Sequence, residues 1–436
     1  MKKWGFKWFS LVLVLVIFLS GCGEKSSSSS EGKNEDGKVT LKIISVSQTE
    51  QPDGENEKKL AEEYMKQNPN VKIEFVGVPM NDLYKKLTTL ATGGDLPDAF
   101  TMTPEFMRTA HEMGMTADLT EVFGEDYLKD FYDNIIEESS VDGKLQLLPW
   151  NATPQALIYR GDWFEAEGLE APRTWDEFIT AAQKLTKDTD NDGKVDQWGF
   201  GMIGTRNSSG ASRFFPVMRS FGAEEIRKDK NGKWVSDVGT DEAAKAFQLY
   251  GDLVNKYEVV PPGVTQTGFP EAASLIATNK VAMMFTGPNA LGTIYAENPD
   301  LKGKIYSTPI PKDKQHVSTF GIIGYGISET SKHKEEVADW LKFLVSKENS
   351  LKWNELSGRL PTRKDVGEAQ QLTSPEMAGF SEAIEYAFPI PNFSTYAQFS
   401  DIVSEGYQTM ITEDGKAEDV AKNAEERAKE LISKEK

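Results

Sequence analysis

From Val39 onward, apolar and polar positions fall into short blocks of two different periods. In VTLKIISVS, Val39, Leu41 and Ile43 alternate with polar neighbours before the run turns continuously apolar, which predicts a strand that becomes buried. NEKKLAEEYMKQNPN places Leu60, Ala61, Tyr64 and Met65 on one helical face and stops before Pro69, because the residue preceding a proline disfavours the α region. VKIEFVGV returns to period two, with Val71, Ile73 and Phe75 on one side. Strand, helix, strand is a βαβ unit, and it predicts parallel pairing.

The same logic recurs downstream. A helix is predicted from about Asp82, stopped by Gly93 and Gly94, and followed by the short strand DAFTM. TWDEFITAAQKLTK reads as a helix with Thr174 at its N-cap and Glu177 three residues later, a capping box. DEAAKAFQLYGDLVNKY, KEEVADWLKFLVS and AEDVAKNAEERAKELISK are further helices, and KVAMMFTG and GYGIS are strands. Helices alternating with short apolar strands predict an α/β fold.

The first residues follow a different rule. Lys2, Lys3 and Lys7 precede an apolar run from Trp8 to Leu19, and Ser20 and Gly21 lead to Cys22. The run is interrupted at Ser10 and falls short of the roughly 20 apolar residues that a transmembrane helix needs, so residues 1–21 read as a secretory signal peptide. Cys22 is the only cysteine, so it cannot form an internal disulfide and is either an idle thiol or a modification site. LSGC, Leu19 to Cys22, resembles the lipobox of bacterial lipoproteins, which implies cleavage before Cys22 and lipidation there. GEKSSSSSEGKNEDGK carries no apolar residue between Gly23 and Lys38, so residues 22–38 form a lipid-bearing N-terminus and flexible tether.

About 400 residues remain beyond the tether, more than one core usually serves, and two domains are expected. The formal net charge is −19, and loss of Lys2, Lys3 and Lys7 with the leader makes it −22. Such a chain repels phosphate backbones and anionic headgroups, which argues against nucleic-acid binding and leaves the lipid as its contact with a membrane. His111, His316 and His333 are too few and too scattered for the usual zinc sites or histidine relays.

One polar segment has spacing of its own. DTDNDGKVDQWG puts Asp188, Asp190 and Asp192 at alternate positions, Gly193 next, the Lys194 carbonyl after it and Asp196 two residues further on. Alternating hard oxygen donors around a turn-forming glycine suit calcium. Position 12, a bidentate glutamate in an EF-hand, is Gly199, and QWGFG looks like a strand, so no exiting helix is expected. A solvated acidic turn is the plain alternative.

The order of several phrases resembles the family 1 extracellular solute-binding proteins, the maltodextrin-binding-like receptors of ABC importers. These phrases are GGDLPDAF (93–100), VDGKLQLLPWN (141–151), ALIYRGDWFEAEGL followed by TWDEF, KVAMMFTGPNA (280–290) and SGRLPTR (357–363). The resemblance implies a two-lobed periplasmic-binding-protein-like α/β fold with a hinge and an interlobe cleft. It places residues 39–153 plus 324–358 in an N-lobe and 154–321 plus 360–436 in a C-lobe, with crossings near Thr153, Gly321 and Leu360. It further implies a monomer that binds an oligosaccharide, delivers it to ABC permease subunits and has no catalytic residues. Some family members that bind acidic polysaccharide fragments carry a similar aspartate loop holding structural calcium, which is what the resemblance implies here.

Sugars present apolar ring faces edged with hydroxyls, so their sites pair flat aromatics with hydrogen-bonding groups. By alignment of phrases, the ligand-binding candidates are Gln48, Thr49, Thr103, Glu105, Trp150, Arg213, Phe214, Asn289 and Tyr396. Arg213 could fork onto a carboxylate, which would suggest a uronic-acid ligand. Asn289 departs from the family's GPW and removes one stacking platform. Trp163, Phe164, Trp175, Trp340 and Trp353 read as core. The rival readings are a lipid-anchored glycoside hydrolase or lyase, and a receptor for a peptide or polyamine. With 68 acidic residues, candidate carboxylate pairs for a hydrolase carry no information.

Overall fold

The computed structural model describes residues 38–50, 53–367, 369–388, 391, 393, 395–413 and 415–434. The leader and Cys22 lie outside the described residues. Among the described residues no helix is long and apolar enough to cross a membrane.

Two sheets organise the chain. The first has the spatial order Val71–Gly77, Val39–Ser45, Ala99–Met102, Ser318–Ile327, Leu148–Pro154, Leu360–Pro361, with Ala387–Phe388 pairing Ser318–Ile327. Val39 pairs with Val71 and Ile43 with Ala99 in parallel, as the βαβ pattern predicts. The second has the order Ile305–Thr308, Ala156–Arg160, Val281–Thr286, Trp198–Phe200. Leu148–Pro154 ends in the first sheet and Ala156–Arg160 begins the second, so the chain passes between sheets within a few residues. Ser318–Ile327 returns antiparallel to Leu148–Pro154, with Gly321 opposite Thr153.

Each sheet has its own core. Trp150, Tyr325, Trp340 and Trp353 fill the first, and Phe178, Phe200, Phe285, Phe214 and Tyr250 fill the second. A third apolar cluster runs from one to the other through Ala152, Ala156, Ile158 and Ile322, burying the crossing strands. The architecture is therefore α/β and two-lobed.

The helices form where their end signals predict. Asp53–Gln67 buries Leu60, Ala61 and Tyr64, and ends two residues before Pro69. Met80–Gly93 closes on Gly94 in the left-handed region, φ 75°. At Trp175–Leu185 the Thr174 hydroxyl accepts from the Glu177 amide at 3.4 Å while the Glu177 carboxylate accepts from the Thr174 amide at 3.0 Å, the reciprocal capping box. Trp175, Phe164, Trp340 and Trp353 are buried core residues, and Trp163 packs half-buried against the cluster that holds Trp175 and Phe164.

Candidate functional site

The first sheet ends in a 3-10 turn, Ser47–Thr49, that carries two of the candidates. Beneath it lies Glu57, fully buried. Its carboxyl accepts from Ser45 Oγ at 2.7 Å, from Gln48 Nε2 at 2.6 Å and from the Tyr325 hydroxyl. Burial pushes the Glu57 carboxyl above its ordinary range, against those hydrogen bonds. Gln48 is thus held by a buried acid, and the Thr49 hydroxyl donates to the Val46 carbonyl at 2.8 Å.

After the third strand, Thr103 donates to the Glu105 carboxylate and is hydrogen-bonded to Tyr84, whose ring stacks on Phe106 at 4.4 Å. Glu105 is exposed in the first turn of the helix Pro104–Glu112. Across the seam lies Tyr396, packed on Phe215 and Phe399 in the second lobe. Burial holds its hydroxyl well above the usual phenol range, with Glu225 and Glu105 adding and Arg219 opposing.

Arg213, on the helix Ser208–Ser220, donates from Nη1 to the Ser209 carbonyl and hydroxyl at 2.9 Å and to Ser212 at 3.1 Å. Its Nε is buried without a partner, and the guanidinium lies 5.9 Å from the Phe269 ring. Desolvation brings its pKa down to about 10.

Two candidates are core residues. Trp150 is 1% exposed, 4.2 Å from Trp353 and 5.7 Å from Tyr325 between ring centroids, inside the first lobe's core. Its strand is covered on both faces, so closeness to a crossing does not bring the ring to the surface. Phe214 is fully buried against Phe247, Tyr250 and Tyr407. Successive helical residues point about 100° apart, so Arg213 and Phe214 cannot share one face.

Among the described residues, two depressions on the seam are each lined from both lobes. The larger, about 860 Å³, is bounded by Glu50 and Asp53 beside the Ser47–Thr49 turn, by Arg359, and by Asn289 and Tyr295 on the facing helix. Asn289 is exposed at that helix's first residue. The smaller, about 340 Å³, lies between Arg108 and Glu138 of the first lobe and Arg219, Lys228 and Trp234 of the second. Both volumes fall in the range of about 300–1,000 Å³ common for small-molecule sites. Trp234 and its basic neighbours are the residues that phrase alignment missed. The signal was RKDKNGKW, an Asn-Gly hairpin in which Trp234 pairs with Lys228 and Val235 with Arg227.

In the acidic loop, carboxylate oxygens of Asp188, Asp190 and Asp192 lie within 4.8 Å of one another. Oxygens on one calcium at about 2.3–2.6 Å can be no more than about 5 Å apart, so this donor set fits the ion. Gly193 takes φ 90° and its amide donates to Asp188 Oδ2 at 2.8 Å. Asp196 is turned to Thr189, accepting from its amide at 2.9 Å and its hydroxyl at 2.7 Å, and those hydrogen bonds hold its carboxyl below the usual range. Three carboxylates therefore converge and the fourth braces the loop. At Gly199 a Cβ would lie 2.2 Å from the Ala182 carbonyl oxygen, which excludes the glutamate of a sensor loop.

Two α/β lobes sharing their crossing strands, with ligand-sized depressions along the seam, define a two-lobed binding protein. Residues 48–350 match the bacterial extracellular solute-binding protein family, and the chain belongs to that family. Its fold is similar to maltose-bound MalE3 of T. maritima, 27% identical with a TM-score of 0.71, covering 90% of this chain and 99% of that one. It is also similar to an ABC transporter solute-binding protein of Thermotoga lettingae bound with α-D-tagatose, 25% identical with a TM-score of 0.71, covering 90% and 99%. The multiple sugar-binding protein of Streptococcus mutans is 22% identical over 376 residues, 83% of this chain and 84% of that protein.

Proposed function

We propose that this chain is the extracellular receptor of a bacterial ABC importer, held to the outer face of the cell membrane by lipid on Cys22, and that it carries an oligosaccharide between its lobes to the permease. The observation that carries the reading is the seam, where both lobes contribute polar side chains to two ligand-sized depressions and Trp234 supplies a partly exposed aromatic face to the smaller one. Asn289 lines the larger depression, and Gln48, Thr49, Thr103, Glu105, Arg213 and Tyr396 are assigned to the ligand by the resemblance of phrases. The receptor acts as a monomer, with lobe boundaries near Thr153, Gly321 and Leu360, and it catalyses no reaction on its ligand.

The test is a thermal-shift screen over plant and bacterial oligosaccharides, since a ligand that binds only the folded form raises the melting temperature. At least one saccharide should raise it without releasing new reducing ends. A shift with peptides or polyamines alone, or any turnover, overturns the reading.

Calcium belongs to the same proposal as a structural clip. Asp188, Asp190 and Asp192 supply carboxylates, the Lys194 carbonyl a further oxygen, and Asp196 closes the loop through Thr189. Near one another and without a cation, three carboxylates repel. EDTA should lower the melting temperature of the native chain and leave D190N/D192N unmoved; an EDTA-insensitive native protein sinks the clip.

A further inference from the structure

The smaller depression has a charge opposite to that of the chain as a whole. Four of its charged lining residues, Arg108, Arg219, Arg227 and Lys228, are cations, and Glu138 is its one acid, in a protein of net charge −19. Two of these cations are already neutralised. Arg219 is paired through Nε to the buried Glu225 at 2.6 Å, and Arg227 to Asp237 at 3.2 Å.

The other two are not. Arg108, exposed on the first lobe, reaches Glu112 only at 4.0 Å and Asp142 at 3.7 Å, too far for hydrogen bonds and weak in solvent. Lys228, on the second lobe, enters no ion pair among the described residues. Its ammonium lies 5.1 Å from the Trp234 ring centroid.

Two under-compensated cations on opposing walls repel as the lobes approach, and an anion between them reverses the sign of that interaction. An aromatic face with an ammonium beside it is what one class of sugar requires: a ring face against the indole and a carboxylate against the cation. We propose that this depression receives a uronic-acid residue of the oligosaccharide, its ring against Trp234 and its carboxylate between Arg108 and Lys228. The proposal rests on the saccharide-receptor reading above and narrows its ligand to anionic sugars.

The test is calorimetric titration of the full chain with oligogalacturonide, oligomannuronate, oligoguluronate and glucuronate-bearing xylooligosaccharide, each beside its methyl ester. The ester keeps ring and length but removes the charge. At least one acid should bind about tenfold or more tighter than its ester and lose that advantage at high salt. R108Q and K228Q should each cut the acid's advantage over its ester severalfold while leaving the melting temperature unchanged. If every acid binds no tighter than its ester, or neutral oligosaccharides alone bind, the uronate inference fails and the saccharide reading stands. If no saccharide of either kind binds, the saccharide reading itself fails.

Discussion

The two depressions on the seam are near mirror images in charge. The larger is lined by Glu50, Asp53, Glu355 and Glu376 with Arg359 as its one cation, and the smaller by four cations with Glu138 as its one acid. Their internal pairing differs as well. Arg359 sits among the acids of its depression, donating to Asp53 and, at 3.2 Å, to Glu50, so two of the four acids are clamped. Arg108 and Lys228 have no such clamp on the basic side. Net charge therefore says little about a cleft, because the field a ligand meets is set by the few charges that are weakly paired. A ligand with one anionic end would find its orientation along the seam already chosen.

The strongest way to break this contrast is to remove the clamp. Asp53 is 7% exposed, and burial raises its carboxyl above the ordinary 3.8 against the opposing pull of Arg359. Arg359→Ala leaves that buried carboxylate uncompensated, which should destabilise the fold by about 3 kcal/mol in urea unfolding near pH 8. An acid whose folded pKa is raised is best tolerated when protonated, so the deficit should shrink as pH falls and grow again as it rises. An equal deficit at pH 5 and pH 8 would remove Asp53 as its cause.

Much of this molecule can be read from its pattern, and the reasons it stops are local. Period-two and period-3.6 blocks located the parallel pairing of Val39–Ser45 with Val71–Gly77, because each strand has one clear buried set. Thr174 and Glu177 identified a helix start because capping chemistry acts over three residues. Trp150 lay beyond such reasoning: Leu148–Pro154 is buried on both faces, and no alternation remains to say which side meets the cleft. Arg108 and Lys228 are 120 positions apart and meet only through the packing of two lobes, so no window of sequence contains their relationship. Trp234 sat on a strand of two residues, too short to have a period, although its Asn-Gly turn was in plain view.

A milder perturbation sharpens the basic side by separating ring from charge. Trp234 is partly exposed, with Lys228 near its face and Phe393 packed against it at 5.1 Å. Trp234→Leu keeps apolar bulk and removes the flat face, and should weaken binding of the tightest saccharide about fivefold, or about 1 kcal/mol. The salt dependence should persist, since Arg108 and Lys228 remain. An unchanged affinity in calorimetry would place the sugar at the acidic depression instead.

The smallest effect is expected at Glu138, the lone acid among the cations. Burial pushes its carboxyl from 4.5 up to about 7, with Glu137 adding to the rise and Arg219 opposing it. Because the folded pKa is raised, the stability associated with its neutral form is complete below about pH 4.5 and is lost as pH climbs through about 7. Arg108, Arg219, Arg227 and Lys228 line the same space, and with its carboxyl near 7 Glu138 changes charge there between pH 6 and 8. Its ionisation adds a negative charge where an anionic ligand would lie. Affinity for an acidic oligosaccharide should therefore fall a fewfold from pH 6 to pH 8, and Glu138→Gln should flatten the profile while leaving a neutral oligosaccharide's profile as it was. If the variant keeps the native slope, the pH dependence belongs to the ligand or to another group, and Glu138 is only a desolvated acid in the wall.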